Sequence, residues 1–219
     1  MKGALLRLLP RILSNRFLLF FWDLLSVRES GRPFRRKERK QEPAGRPGAG
    51  TGGFIENQGD YFDVSYGKAT MAYAGCEIIA AFNALFALSK ERPDLTELIQ
   101  NFEGDGMSLS GRFGTSPAAL VRFFEKRGFE TESALSEEDF DSLAERSSAL
   151  LLVYYNDRFD LGAMVHTIYV EKKEAPGPAY VAHNAGGNGK AGPSASSVRE
   201  LLQRLGSGRA GGILLIGIR

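Results

Sequence analysis

Residues Cys76 to Leu88 read Cys-Glu-Ile-Ile-Ala-Ala-Phe-Asn-Ala-Leu-Phe-Ala-Leu. Wound as a helix, this stretch is apolar on most of its faces, and such a helix is stable only when it is surrounded by protein. The fold must therefore be built around it. Gly75-Cys76-Glu77 opens the helix, and Cys76 is the only cysteine in the chain. Unpaired backbone N–H groups and the positive end of the helix dipole gather at a helix N-terminus, so a thiol there is expected to ionise readily. A lone cysteine cannot form an intramolecular disulfide. Cys76 is either a nucleophile or a small buried hydrophobe.

The elements that follow set the fold class. A helix is expected over Pro93–Phe102, with proline suited to the first turn. Thr115-Ser116-Pro117 opens a helix over Ala118–Lys126, stopped by Gly128. Ser136-Glu137-Glu138-Asp139 approximates a capping box and starts a helix to about Arg146. Strands then take over: Ala149–Tyr155 is continuously apolar, and Met164–Glu171 and Ala179–Asn184 are β-rich. An amphipathic helix, Ser197–Leu205, precedes a last strand, Gly212–Ile218. Helices first and an antiparallel sheet second make an α+β chain. No internal repeat is present.

The 219 residues suffice for one ordinary domain and an extension, and 43% hydrophobic with 25% charged residues is a globular composition. The charge is uneven. Residues 1–46 carry 12 Lys/Arg and 4 Asp/Glu, net +8; residues 47–219 carry 16 and 22, net −6. Residues 1–28 are apolar and basic, with the run Phe17-Leu18-Leu19-Phe20-Phe21-Trp22 interrupted on either side by Arg16 and Asp23. A spanning helix needs about 20 mostly apolar residues, so this is a poor transmembrane candidate. No clean apolar core with a small-residue cleavage site marks a secretory signal either. Arg7, Arg11, Ser14 and Asn15 fall within roughly 100° of a helical wheel, which suits a helix lying on a membrane surface. A helix docked on the protein's own core, a propeptide or an anchor are the alternatives. Residues 29–53 are basic and then rich in Gly and Pro, as a flexible linker is. No aromatic interleaves the basic cluster after Phe34, so a nucleic-acid partner is not expected. The globular domain is expected over 54–219.

A cysteine nucleophile needs a base and a group that orients the base. The chain has two histidines, His166 and His183, both on expected strands. If these strands form a hairpin centred near Ala175, residues whose numbers sum to 350 oppose each other. His166 then faces Asn184, with Cβ atoms about 5 Å apart on one face, and the Asn184 amide oxygen can accept from the imidazole. A slip by one residue would bring His183 opposite His166 instead. His183 otherwise points to the opposite face as an ordinary core histidine.

Gly75-Cys76-Glu77 before an apolar helix, then a His strand, then a strand ending His183-Asn184, resembles the papain-like cysteine peptidases. The bacterial branch that includes the bacteriocin leader peptidases, which cut after a double glycine, is the most similar. Thr115 to Gly128 resembles that branch's second helical segment, and the resemblance covers about residues 54–219. It implies a papain-like fold with a central nucleophile helix, Cys76 as nucleophile, His166 as general base and then acid, and Asn184 as orienting residue. It also implies an oxyanion donor, usually a Gln shortly before the cysteine, beside the cysteine's own N–H. Gln58 is the only Gln between the linker and Cys76, but it lies 18 residues upstream, farther than the family's spacing. Asn57 and Tyr61 are the fallback donors. Tyr61, Phe62, Tyr66 and Tyr73 echo the family's aromatic-rich approach to the cysteine.

The expected function is thus hydrolysis of peptide bonds through an acyl-enzyme on Cys76. An acyltransferase or transpeptidase of the same fold, and a non-catalytic binding module held at a membrane by residues 1–28, are the alternatives. No cofactor is expected, since two histidines and one cysteine leave little for a zinc site. Ala185 to Gly192 is Gly-rich but does not match a phosphate loop, and reads as a loop flanking the cleft. The acidic core favours a basic or neutral peptide substrate. A cytoplasmic location, at the inner face of the membrane, is expected ahead of secretion. Without an ATP-binding cassette, the chain is not expected to be a full leader-processing exporter.

Overall fold

The computed structural model describes residues 15–26, 53–159, 164–174, 179–186 and 189–219. The segment 1–14, most of the linker at 27–52 and residues 187–188 of the Gly-rich loop lie outside the described residues. Among the described residues, helix α1 (Asn15–Leu24) comes first. A two-stranded hairpin follows, β1 (Ser65–Tyr66) with β2 (Ala69–Thr70), and then α2 (Met71–Ala74), α3 (Cys76–Ser89) and α4 (Leu95–Gly104). After α5 (Pro117–Glu125) come β3 (Thr131–Ala134), α6 (Phe140–Glu145), β4 (Ala149–Tyr155), β5 (Val165–Lys173), β6 (Ala179–His183), β7 (Ser194–Ala195), α7 (Val198–Arg204) and β8 (Gly211–Ile218).

Local chemistry accounts for the helix ends. The Asp94 carboxylate accepts from the backbone N–H of Thr96 and Glu97, so Asp94 caps α4 and the helix begins two residues later than Pro93 implied. Pro117 occupies the first turn of α5. Ser197 caps α7 by accepting from Glu200 N at 3.1 Å.

Six strands form one antiparallel sheet in the order β3-β8-β4-β5-β6-β7, the mixed α and antiparallel β architecture that the sequence indicates. Every residue of β4 is buried. Leu151, Val153 and Tyr155 join a core with α3, α4 and α5, while Leu150, Leu152 and Tyr154 join a second core with α6 and α7. Covering on both faces explains why β4 is apolar without alternation, a pattern more usual in parallel sheets. Helix α3 lies across β4 and β5, and Ile78 to Ala84 are all buried, as its all-round apolarity requires.

Helix α1 docks on this body and is not a detached extension. Trp22 is buried and donates from Nε1 to Phe113 O at 3.1 Å. Asp23 meets the Arg122 guanidinium at 3.3 Å, and Asn15 Nδ2 donates to the carbonyls of Leu135 and Gly212. Self-docking, one of the alternatives for this segment, therefore describes one side of the helix. Among the described residues no helix is long and apolar enough to cross a membrane.

Candidate active site

Cys76 begins α3, as expected, but its thiol is not activated there. Cys76 is 7% exposed. Burial and then the neighbouring Glu77 carboxylate push its pKa well above the ordinary thiol value, and a hydrogen bond from the Thr167 backbone N–H offsets only part of this. Desolvation thus outweighs the helix dipole that the sequence pattern invokes.

Glu77 is itself 1% exposed. Its Oε1 accepts from Thr167 Oγ1 at 3.2 Å and its Oε2 from Thr115 N at 3.4 Å. It also bonds its own backbone N–H, the capping role that its position suggests, and burial raises its pKa to about 7. Glu77 therefore ties the start of α3 to β5 and to the turn before α5.

The register of β5 with β6 differs from the expected one. Tyr169 pairs with His183 and Val170 with Ala182, so paired numbers sum to 352 and not to 350. The hairpin is therefore centred one residue later than Ala175. A two-residue shift leaves each side chain on its face, so His183 does not come opposite His166. Asn184 ends the strand in a left-handed backbone conformation, φ 65°, which Asn tolerates better than most residues. That turn aims its backbone carbonyl at His166, and His166 Nε2 lies 2.8 Å from Asn184 O. The expected contact through the Asn184 side chain is replaced by one through its main chain.

The consequence is chemical. A carbonyl oxygen only accepts, so Nε2 carries the ring proton and Nδ1 keeps its lone pair. Burial lowers the His166 pKa, and the bond to Asn184 opposes this in part. Nδ1 has no hydrogen-bond partner among the described residues, and no hydrogen bond links the Cys76 thiol to the ring. With the thiol pKa raised and the imidazole pKa lowered, each group rests neutral.

The Asn184 side chain clasps Gln58 instead. Its Oδ1 accepts from Gln58 N at 2.9 Å and its Nδ2 donates to Gln58 Oε1 at 3.1 Å. Gln58 Nε2 donates to Ala72 O at 2.9 Å. The 18-residue gap to Cys76 is taken up by the β1–β2 hairpin and α2, which return the chain so that Gln58 sits against Ala72, four residues before the cysteine. One of its two amide protons remains uncommitted. Of the fallback donors, Asn57 is occupied by Gly59 N and Asp60, and Tyr61 is buried in the core. Tyr66 is also core, while Phe62 and Tyr73 are exposed.

His166, Asn184, Gln58, Asn57, Tyr154 and Asn156 line a cavity of about 480 Å³, bounded on its other side by Pro193, Arg204 at the end of α7 and the turn Leu205 to Ser207 that follows it. Cys76 is not part of its wall. Ala185, the start of the Gly-rich loop, is.

His183 is a core histidine, packed against Phe54 and Tyr169 with ring centroids 4.2 and 5.5 Å away. Both ring nitrogens meet carboxylates, Glu56 Oε1 at 2.6 Å and Glu171 Oε2 at 3.1 Å. Glu56 is the residue that sequence reasoning missed: its Oε2 accepts from Asn184 N at 3.2 Å and so helps fix the turn that orients His166. An acid within the apolar opening of the domain, Phe54-Ile55-Glu56, was the available signal. Among the described residues no His/Cys/Asp/Glu group is arranged to hold a metal.

No family model and no curated protein matches the chain. Among solved structures, it is similar to the peptidase domain of Streptococcus ComA, a bifunctional ABC transporter involved in a quorum-sensing pathway. The two are 13% identical with a TM-score of 0.41, over 65% of this chain and 89% of that one.

Proposed function

We propose that the chain is a thiol hydrolase that cuts peptide bonds, with Cys76 as nucleophile and His166 as its base. The observation that carries this reading is the fixed tautomer of His166: Nε2 donates to Asn184 O at 2.8 Å, which leaves Nδ1 as a base on the strand whose next N–H, that of Thr167, bonds the Cys76 sulfur. Catalytic contacts in substrate-free sites are often loose and close only on the substrate complex. In that complex His166 Nδ1 takes the thiol proton, the sulfur adds to the scissile carbonyl, and His166 returns the proton to the leaving amine. Water then takes the acyl group from Cys76. The Cys76 backbone N–H and the uncommitted Gln58 amide proton stabilise the oxyanion. The substrate is a peptide whose segment fills the cavity between Gln58, Tyr154 and the end of α7.

One observation favours the competing reading of a non-catalytic core: the thiol is buried and off the cavity wall. Incubation of the full chain with a mixed peptide library, followed by mass spectrometry of new termini, separates the two. The hydrolase reading expects new termini that vanish in Cys76→Ser and His166→Ala. Identical termini in wild type and Cys76→Ser would remove it.

A further inference from the structure

Helix α1 is built inside out. Its polar residues Asn15 and Asp23 turn toward the protein, where they bond the carbonyls of Leu135 and Gly212 and the groups of Ser116 and Arg122. Trp22, Leu18 and Leu19 pack on the core from the same side. The opposite side presents Phe17, Phe20, Phe21 and Leu24, which are 52%, 65%, 49% and 65% exposed. These positions are spaced i, i+3, i+4 and i+7, one continuous stripe. Leu109 and Phe113 extend it, since Leu109 N bonds Leu25 O and the Phe113 ring meets Trp22 at 5.1 Å. A water-facing helix shows the reverse arrangement, and a contiguous apolar patch of this kind marks a docking surface.

Charge says what covers it. The sequence on both sides of α1 is basic: Lys2, Arg7 and Arg11 before, Arg16 in its first turn, and Arg28, Arg32, Arg35, Arg36, Lys37, Arg39 and Lys40 after. The remainder of the chain is net acidic. An aromatic stripe between cationic flanks is complementary to a lipid surface with anionic headgroups, where rings enter the interface and Lys and Arg meet the charge. A second copy would bring its own cationic flanks against these.

We infer that the outward face of α1, Phe17, Phe20, Phe21 and Leu24, seats the protein on an anionic membrane surface without crossing it. The inward face of the same helix holds the domain, so the membrane contact is rigidly joined to the body through Trp22 and Asp23. This inference is independent of the hydrolase reading.

The test is co-sedimentation of the full chain with phosphatidylcholine vesicles, with and without phosphatidylserine. Wild type is expected to bind the anionic vesicles in preference to the neutral ones and to lose affinity as salt rises. Phe20→Gln with Phe21→Gln should weaken anionic binding by about tenfold or more while leaving the thermal midpoint in place, because both rings face outward. Arg35→Gln with Arg36→Gln and Lys37→Gln should lower the anionic preference alone. Failure of wild type to bind, or equal binding by the Phe20/Phe21 variant, overturns the inference. So does a lipid-free dimer that the same variant dissociates, which would assign the face to a second copy.

Discussion

His166 is held by the main chain of Asn184 and not by its amide: Nε2 and Asn184 O are 2.8 Å apart, while the Asn184 side chain is engaged with Gln58. Asn184 can therefore lose its side chain and keep its contact with His166. The left-handed φ at Asn184 is the feature that the contact depends on.

Asn184→Gly tests this separation. Glycine adopts the same backbone conformation without strain, so the carbonyl stays on His166. The variant should lose less than about tenfold in peptide turnover, whereas His166→Ala should lose about a hundredfold or more, the usual contribution of a positioned general base. Steady-state rates on any peptide that wild type cleaves make the comparison. Equal losses would assign the orienting role to the amide.

Glu77 gives a stability signature with a defined sign. Its folded pKa, about 7, lies above the ordinary carboxyl value of 4.5, so the native state holds this proton more tightly than the unfolded state. The stabilisation is complete below about pH 4.5 and is lost as pH rises through about 7. The loss is on the order of 3 kcal/mol. His166 works oppositely, because its lowered pKa supplies stability that disappears as pH falls below the ordinary imidazole value. Glu77→Gln should therefore gain stability relative to wild type between pH 4.5 and 7, read by urea unfolding at several pH values. A constant difference across that range would contradict it.

The same substitution bears on the thiol. Glu77 is the second cause, after burial, of the raised Cys76 pKa. Glu77→Gln should move the pH profile of Cys76 alkylation toward lower pH without bringing it to an unperturbed profile. An unmoved profile would leave burial as the sole cause.

Glu56 bonds both His183 and Asn184 N, so its removal leaves His183 Nδ1 without its partner in a buried site, with Glu171 still on Nε2. Glu56→Ala should cost about 2 kcal/mol of stability and also free the Asn184 N–H. Urea unfolding gives the first effect. A shift in the His166 ring resonances, seen by NMR, gives the second and would not follow from a general loss of stability.

How far the sequence speaks for this molecule differs from element to element. Helix α3 and strand β4 are legible because burial on most sides demands apolarity at most positions, and both reach their expected bounds within one residue. Strand β3, Thr131–Ala134, escapes notice because it is short, half-exposed and poor in β-formers. The β5–β6 register is invisible because Glu-Ala-Pro-Gly-Pro at 174–178 fits no two-residue hairpin turn, and strand composition alone does not count the loop. The strand pattern brings His166 and Asn184 together, as expected; the switch from amide to carbonyl was not legible, since it follows from one backbone dihedral. The 18-residue gap between Gln58 and Cys76 says little about their separation, because sequence distance ignores the hairpin that folds Gln58 back against Ala72. The thiol shows the limit most plainly: a helix start is visible in sequence, and the depth at which it is buried is not.

The central claim is that Cys76 reacts through His166 from a neutral resting pair. The direct measurement is the rate of Cys76 acylation by an activated peptide ester as a function of pH, in wild type and in His166→Ala. A functioning pair predicts a wild-type rate that rises with deprotonation of a group below the ordinary imidazole value and falls about a hundredfold or more in His166→Ala. Superimposable profiles, both rising only with the high pKa of an isolated buried thiol, would contradict it.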